Sequence, residues 1–199
     1  MTTSTSARTR LTPEQRRAQL LDLGLELLGT RSLEELSIDV LAEEAGISRG
    51  LMYHYFGSKL GFYEAVVQHA ADDLFDRTAP PPDGEPLERL LACLTAYVDY
   101  VIDNTVGYRS LVRAASGGND AVRAIYERTF TAMGERFFSV DSGTIELQPT
   151  PATRLVIRAW QAMVEDLVLA WCDDPAGLTR DDLLRVVTGS LPALLATLP

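Results

Sequence analysis

The chain has 199 residues, 46% hydrophobic and 23% charged, with a formal net charge of −10. This length suffices to bury a core in one or two small domains, and the composition suits a globular protein. The longest apolar runs fall short of the ~18 residues that a helical membrane span requires, and the opening MTTSTSARTR lacks the apolar core of a secretory signal.

Residues 1–11 read as a flexible arm, polar and rich in Thr and Ser. Thr12-Pro13-Glu14-Gln15 then carries a cap, a proline at the first helical position and a Gln for a capping box. Helix 1 should run from there to Leu28, with Leu20, Leu21, Leu23, Leu27 and Leu28 on a buried face. Ser32-x-x-Glu35 is a second possible capping box, but Ser37 is the preferred start of helix 2, whose apolar residues are Val40, Leu41 and Ala45. Gly46 supplies a left-handed turn, and Ser48 caps a short helix 3 from Arg49 to Tyr55. Gly57 stops it and Ser58 caps helix 4, which should extend to Arg77. Two short helices about a glycine turn, residues 37–56, form a helix-turn-helix whose second member reads the DNA major groove.

Thr78 to Pro86 holds four prolines and reads as a linker. Five further helices follow. Helix 5 spans Leu87 to Asn104 with Leu87, Leu90, Leu91, Leu94, Val98 and Val101 at helical spacing, and helix 6 spans Thr105 to Ser116. Helix 7, capped by Asn119, spans Asp120 to Ser139 with Val122, Ile125, Thr129, Phe130, Met133 and Phe137 on one face. After a loop from Val140 to Thr150, helix 8 covers Pro151 to Cys172 and helix 9 opens at Thr179-x-x-Asp182, with Pro192 expected to bend or end it. No segment alternates with period two, so the fold is expected to be all-α with about nine helices: a three-helix DNA-binding domain over 12–58, a connecting helix over 59–77, and a helical domain over 86–199.

The residues Ala42, Ala45, Gly46, Ile47, Ser48, Gly50, Met52, Tyr53, Tyr55, Phe56 and Lys59 stand in the order and spacing of the signature of the TetR family of bacterial transcriptional regulators. Roughly the first third of the chain resembles that family closely; the remainder resembles it in helical layout. The resemblance implies a cytoplasmic regulator, expected to be a repressor, that binds a palindromic operator in double-stranded DNA. It further implies a homodimer through helices 8 and 9 as a four-helix bundle, and release by an unidentified, mostly apolar small molecule. Tyr53 matches the family's phosphate-contacting position. Lys59, the chain's one lysine, matches the phosphate-contacting lysine at the start of helix 4.

The chemistry of the residues gives a compatible assignment. Arg49 has the donor fork for guanine O6 and N7. Gly50 permits close approach, Ser37 and Ser48 are hydroxyls beside helix N-termini, and Leu51, His54 and Tyr55 are further candidates for the DNA face. Met52 and Phe56 read as core. Residues 1–60 carry 7 basic and 8 acidic side chains and residues 61–199 carry 11 and 20. DNA binding therefore requires placement, with Arg8, Arg10, Arg16, Arg17, Arg49 and Lys59 toward DNA and Glu34, Glu35, Glu43 and Glu44 away from it. Candidates for a ligand pocket are Tyr97, Tyr100, Tyr108, Arg113, Phe130, Met133, Phe137, Trp160 and Trp171, each of which also reads as core filling.

Other classes of function find less support. His54 and His69 lie apart and form no H-E-x-x-H, no glycine-rich phosphate loop or G-x-S-x-G occurs, and Glu165-Asp166 and Asp173-Asp174 read as caps or solvated ends. An enzyme, a metal and a cofactor are therefore not expected. Cys93 and Cys172 lack CxxC spacing and read as small hydrophobes in a reducing compartment. A DNA-binding regulator controlled by a protein partner, without a small ligand, is the alternative.

Overall fold

Serine and threonine caps, prolines at first turns and a few glycines divide the chain into helices. The computed structural model describes residues 12–138 and 147–198, so the expected arm over 1–11 and most of the loop before helix 8 lie outside the described residues. Nine α-helices occur among these residues: α1 Pro13–Leu28, α2 Ile38–Glu44, α3 Arg49–Phe56, α4 Lys59–Arg77, α5 Pro86–Asp103, α6 Thr105–Ser116, α7 Asp120–Glu135, α8 Pro151–Asp173 and α9 Arg180–Leu195. Helix 7 tightens into a 3-10 turn over Arg136–Phe138 instead of continuing as α-helix. Pro192 lies inside α9, one turn from its end, without terminating it. Ser32 and Glu35 do exchange hydrogen bonds of 2.9 and 3.3 Å, but they close a turn; Ser37 opens α2.

The N-terminal core gathers Leu20, Leu28, Leu36, Leu41, Met52, Phe62 and Val66, contributed by α1 to α4 and the loop before α2. Leu36, Leu41, Met52 and Phe62 are fully buried, and each such side chain contributes roughly 1.5–3 kcal/mol of transfer free energy. The second core joins the end of α4 with α5, α6, α8 and α9 through Leu90, Val98, Val101, Val168, Leu183 and Leu191. The inward stripe of α5 is Leu90, Leu94, Tyr97, Val98 and Val101; Leu87 and Leu91 face outward.

Glycine matters most to the domain arrangement at two positions. Gly46 has φ +63° and turns the chain between α2 and α3. At Gly107, a Cβ would lie 2.2 Å from the Leu28 carbonyl oxygen and 2.8 Å from its Cβ. Helix α6 therefore rests directly on the C-terminal end of α1. Beside this contact the Ser110 hydroxyl accepts from the Leu33 amide at 2.7 Å and donates to Glu34 Oε2 at 2.8 Å. The same hydrogen bond holds the Glu34 carboxyl below its usual range.

Gly107→Ala forces either α6 or the end of α1 to shift. Overpacking of this kind costs about 1–3 kcal/mol, to be read as a lowered urea midpoint by circular dichroism. An unchanged midpoint would show that the contact yields freely.

Candidate nucleic-acid interface and ligand cavities

Three serines set the geometry of the reader. Ser37, Ser48 and Ser58 each accept a hydrogen bond from the amide three residues on, Val40 at 3.2 Å, Leu51 at 3.2 Å and Gly61 at 2.9 Å. Each hydroxyl keeps its own hydrogen, beside the unpaired amides of a helix N-terminus, and that combination suits a phosphate. Helix α3 has two faces. Arg49, Gly50, Tyr53 and His54 are exposed, whereas Met52 and Phe56 are buried. Leu51 and Tyr55 are half-buried, as is Ser37, and Tyr55 packs against the N-terminal core, so of the nine expected DNA contacts these three are not fully exposed. Only Gly57 and Ser58 separate α3 from α4, and the Phe56 and Phe62 rings lock the corner edge to face at 5.3 Å. Lys59 stands exposed at the first position of α4, its ammonium 5.4 Å from the Tyr63 ring centroid.

Arg49 is not idle. Its Nε pairs with Asp39 of α2 at 2.6 Å, a partner that the sequence reading did not single out. The tether leaves both Nη nitrogens for a base edge. Three acidic residues near the reader have partners: Glu35 with Ser32, Glu44 with Arg31 at 3.0 Å, and Glu34 with Ser110 of α6; Glu43 is exposed. Arg17 sits over the Phe56 ring at 5.4 Å, beside the end of α3. Arg8 and Arg10 lie outside the described residues.

Two apolar cavities lie below the reader. The first, between α5, α7 and α8 and beside the segment that follows α4, encloses about 620 Å³ of unfilled space including its mouth, and Tyr97, Phe130, Met133, Phe137 and Trp160 line it. The second, about 530 Å³ on the same measure, is lined by residues of α1, α4, α5, α6 and α7, among them Tyr100, Tyr108 and Phe130. Phe130 borders both. The structure leaves Arg113 and Trp171 outside them. Arg113 is exposed on α6, and the Trp171 indole donates to the Leu178 carbonyl at 3.0 Å at the far end of α8. The polar groups on the first cavity are instead Thr78, Cys93, Arg136 and Gln161, which no sequence motif marks. Both cysteines are free and half-buried, and burial pushes the Cys93 thiol up.

Glu165 corrects a further expectation. It is not a solvated helix end but is 7% exposed, in the middle of α8. Tyr108 and Tyr126 donate to its two oxygens at 2.7 and 2.5 Å, and the Tyr97 hydroxyl lies 3.0 Å from that of Tyr108. Burial raises its carboxyl and the two tyrosine hydrogen bonds oppose that rise. Among the described residues no group of three or more His, Cys, Asp and Glu could hold a metal ion, and no helix is long and apolar enough to cross a membrane.

Comparison with known proteins bears on both halves. A sequence model for bacterial regulatory proteins of the tetR family matches residues 20–66, and one for the tetracyclin repressor-like C-terminal domain matches residues 86–189. The HTH-type transcriptional activator FasR of Mycolicibacterium smegmatis is 34% identical over 178 residues, spanning 88% of this chain and 81% of that protein. The HTH-type transcriptional regulator BetI of Burkholderia thailandensis is 37% identical over 89 residues, 43% of this chain and 46% of its own. A tetR-family transcriptional regulator from Streptomyces coelicolor superposes with a TM-score of 0.80 at 34% identity, covering 94% of this chain and 82% of that one. A transcriptional regulator from Rhodococcus sp. Rha1 shares the fold, with a TM-score of 0.72 at 19% identity over 95% of this chain and 100% of its own.

Two substitutions separate base reading from phosphate holding. Arg49→Ala is expected to cost about 1–3 kcal/mol on matched DNA and little on scrambled DNA. Lys59→Ala is expected to weaken both and to lower the slope of log affinity against log salt by about one. Fluorescence anisotropy across a salt series reads both effects, and equal losses on the two duplexes for Arg49→Ala would remove its base-reading role.

Proposed function

The chain belongs to the TetR family of bacterial regulatory proteins, and from that premise we propose that this DNA-binding transcriptional regulator is a repressor, released from a palindromic operator when a small, mostly apolar ligand enters the helical domain. The observation that carries the reading is the position of the cavities. Residues of α4 from Val67 to Leu74 border the second, Thr78 just beyond the end of α4 borders the first, and α4 joins α3 through a two-residue corner. A ligand that fits one orientation of α4 better than another shifts the population toward it and changes where α3 stands.

A repressor of this kind acts as a homodimer through α8 and α9. The exposed apolar side chains Leu155 and Met163 on α8 and Val186 and Leu194 on α9 support that surface, since such a patch seeks a partner. A two-fold pair of α3 helices reads half-sites about 34–36 Å apart.

A second reading has one observation in its favour: the relative from Mycolicibacterium smegmatis bears the name of an activator. The two readings share the chemistry and differ in where the operator lies relative to the promoter. Transcription in vitro from a template carrying the operator separates them.

Binding to DNA from upstream of the chain's own gene, against scrambled DNA, tests the core of the proposal, and a screen for release finds the ligand. Val164→Phe, which puts a ring into the first cavity, and a variant with the second cavity filled are both expected to keep DNA binding, and the one whose cavity holds the ligand is expected to lose release. Release that persists in both would place the ligand outside these cavities, and a screen that finds no releasing molecule would favour control by a protein partner. Light scattering after size exclusion is expected to give twice the chain mass, and Val186→Glu about half of that; a single-chain mass for the wild type at micromolar concentration would end the homodimer reading.

A further inference from the structure

The oxygens on the wall of the second cavity share one property. The Tyr100 hydroxyl donates its hydrogen to the Ala70 carbonyl at 3.1 Å, and the Thr129 hydroxyl to the Ile125 carbonyl at 3.0 Å. Tyr108 and Tyr126 donate theirs to Glu165. A hydroxyl carries a single hydrogen, so none of the four has a hydrogen left to give a ligand; Tyr108, which also accepts from the Tyr97 hydroxyl at 3.0 Å, keeps one lone pair. Asn104, whose amide donates to the Tyr100 carbonyl at 2.9 Å, keeps one N–H and a carbonyl oxygen. The wall carries no charged side chain. Behind it stands Glu165, and the ion pairs found among the described residues do not include that carboxylate.

The geometry points to a small organic cation as the occupant of this cavity: an ammonium or amidinium on a compact apolar body, its N–H groups on the Tyr108 and Tyr126 oxygens and its charge balanced by Glu165. The inference rests on the reading that ligands of this protein occupy its cavities, and it adds the sign of their charge. A buried carboxylate without a cation carries a desolvation cost that a bound cation offsets. Each tyrosine that donates to it becomes a stronger acceptor through its own oxygen. The Tyr126 and Phe130 rings, 4.5 Å apart between centroids, add aromatic surface that favours a cation. The first cavity lacks this character because the Arg136 guanidinium is on its wall. The position also has a consequence: the second cavity is bordered by Leu28 and Gly107, the pair through which α6 rests on α1.

The test uses benzylammonium, benzyl alcohol and benzoate, matched in shape and differing in charge, titrated by calorimetry into the full-length protein without DNA. Benzylammonium is expected to bind roughly tenfold more tightly than benzyl alcohol, the ratio that charge assistance gives a hydrogen bond, and benzoate most weakly. Glu165→Gln, checked for its fold by circular dichroism, is expected to abolish the preference for benzylammonium over benzyl alcohol. The wild-type series stands by itself if that variant does not fold. Equal affinity for benzylammonium and benzyl alcohol overturns the assignment of charge and leaves ligand-controlled release intact. Tighter binding of benzoate, or no binding of any of the three, also overturns it, and the release screen on operator DNA then decides the broader reading independently.

Discussion

Helix α6 lies on the backbone of Leu28 because position 107 has no side chain, and that contact, with α4, joins the two halves of the molecule. Ser110, one turn further along α6, holds the Leu33 amide and the Glu34 carboxylate, so the loop into the helix-turn-helix is fastened to the same helix. On the other side α4 continues almost directly from α3. The reader is thus gripped twice, by α6 and by α4, and the second cavity lies between these grips. Closely packed contacts of this kind exchange between discrete arrangements and do not deform continuously. A displacement of either helix therefore reaches the reader as a change of position.

The acidic composition is reconciled with DNA binding by the fate of individual carboxylates. Glu34 turns to α6, Glu35 closes the Ser32 turn, Glu44 pairs with Arg31, and Asp39 takes Arg49. The last of these keeps a negative charge close to the base-reading face. On the proposed DNA face such a charge would oppose loose phosphate binding, a form of discrimination that acts against wrong sites as much as for right ones.

The helix-turn-helix was legible because its determinants are local. A serine cap, a left-handed glycine and the spacing of Leu41, Met52 and Phe56 are all settled within a few residues. The pocket was legible in part. Tyr97, Tyr100, Tyr108, Phe130 and Trp160 are large and lie on inward faces that helical periodicity identifies. Arg113 and Trp171 fit the same chemistry, yet their positions depend on how α6 and the end of α8 are turned against their neighbours, which a one-helix pattern does not encode. Glu165 was misread for a related reason. Beside Asp166 it looks like one of a solvated pair, and only the tyrosines brought from α6 and α7 make a buried carboxylate tolerable there. Pro192 shows the opposite case: the tertiary packing of Leu191 and its neighbours in α9 outweighs a local helix breaker.

The basic side chains are arginines except at Lys59, which leads the helix that follows the reader. Reagents that acylate amines but spare guanidinium groups therefore find one side chain in the molecule, and it lies where a phosphate is expected. A single chemical mark at this position, natural or synthetic, neutralises one charge of the DNA face and leaves the arginine-paired network of the other helices as it was. The scarcity of lysine thus turns an ordinary surface residue into an address.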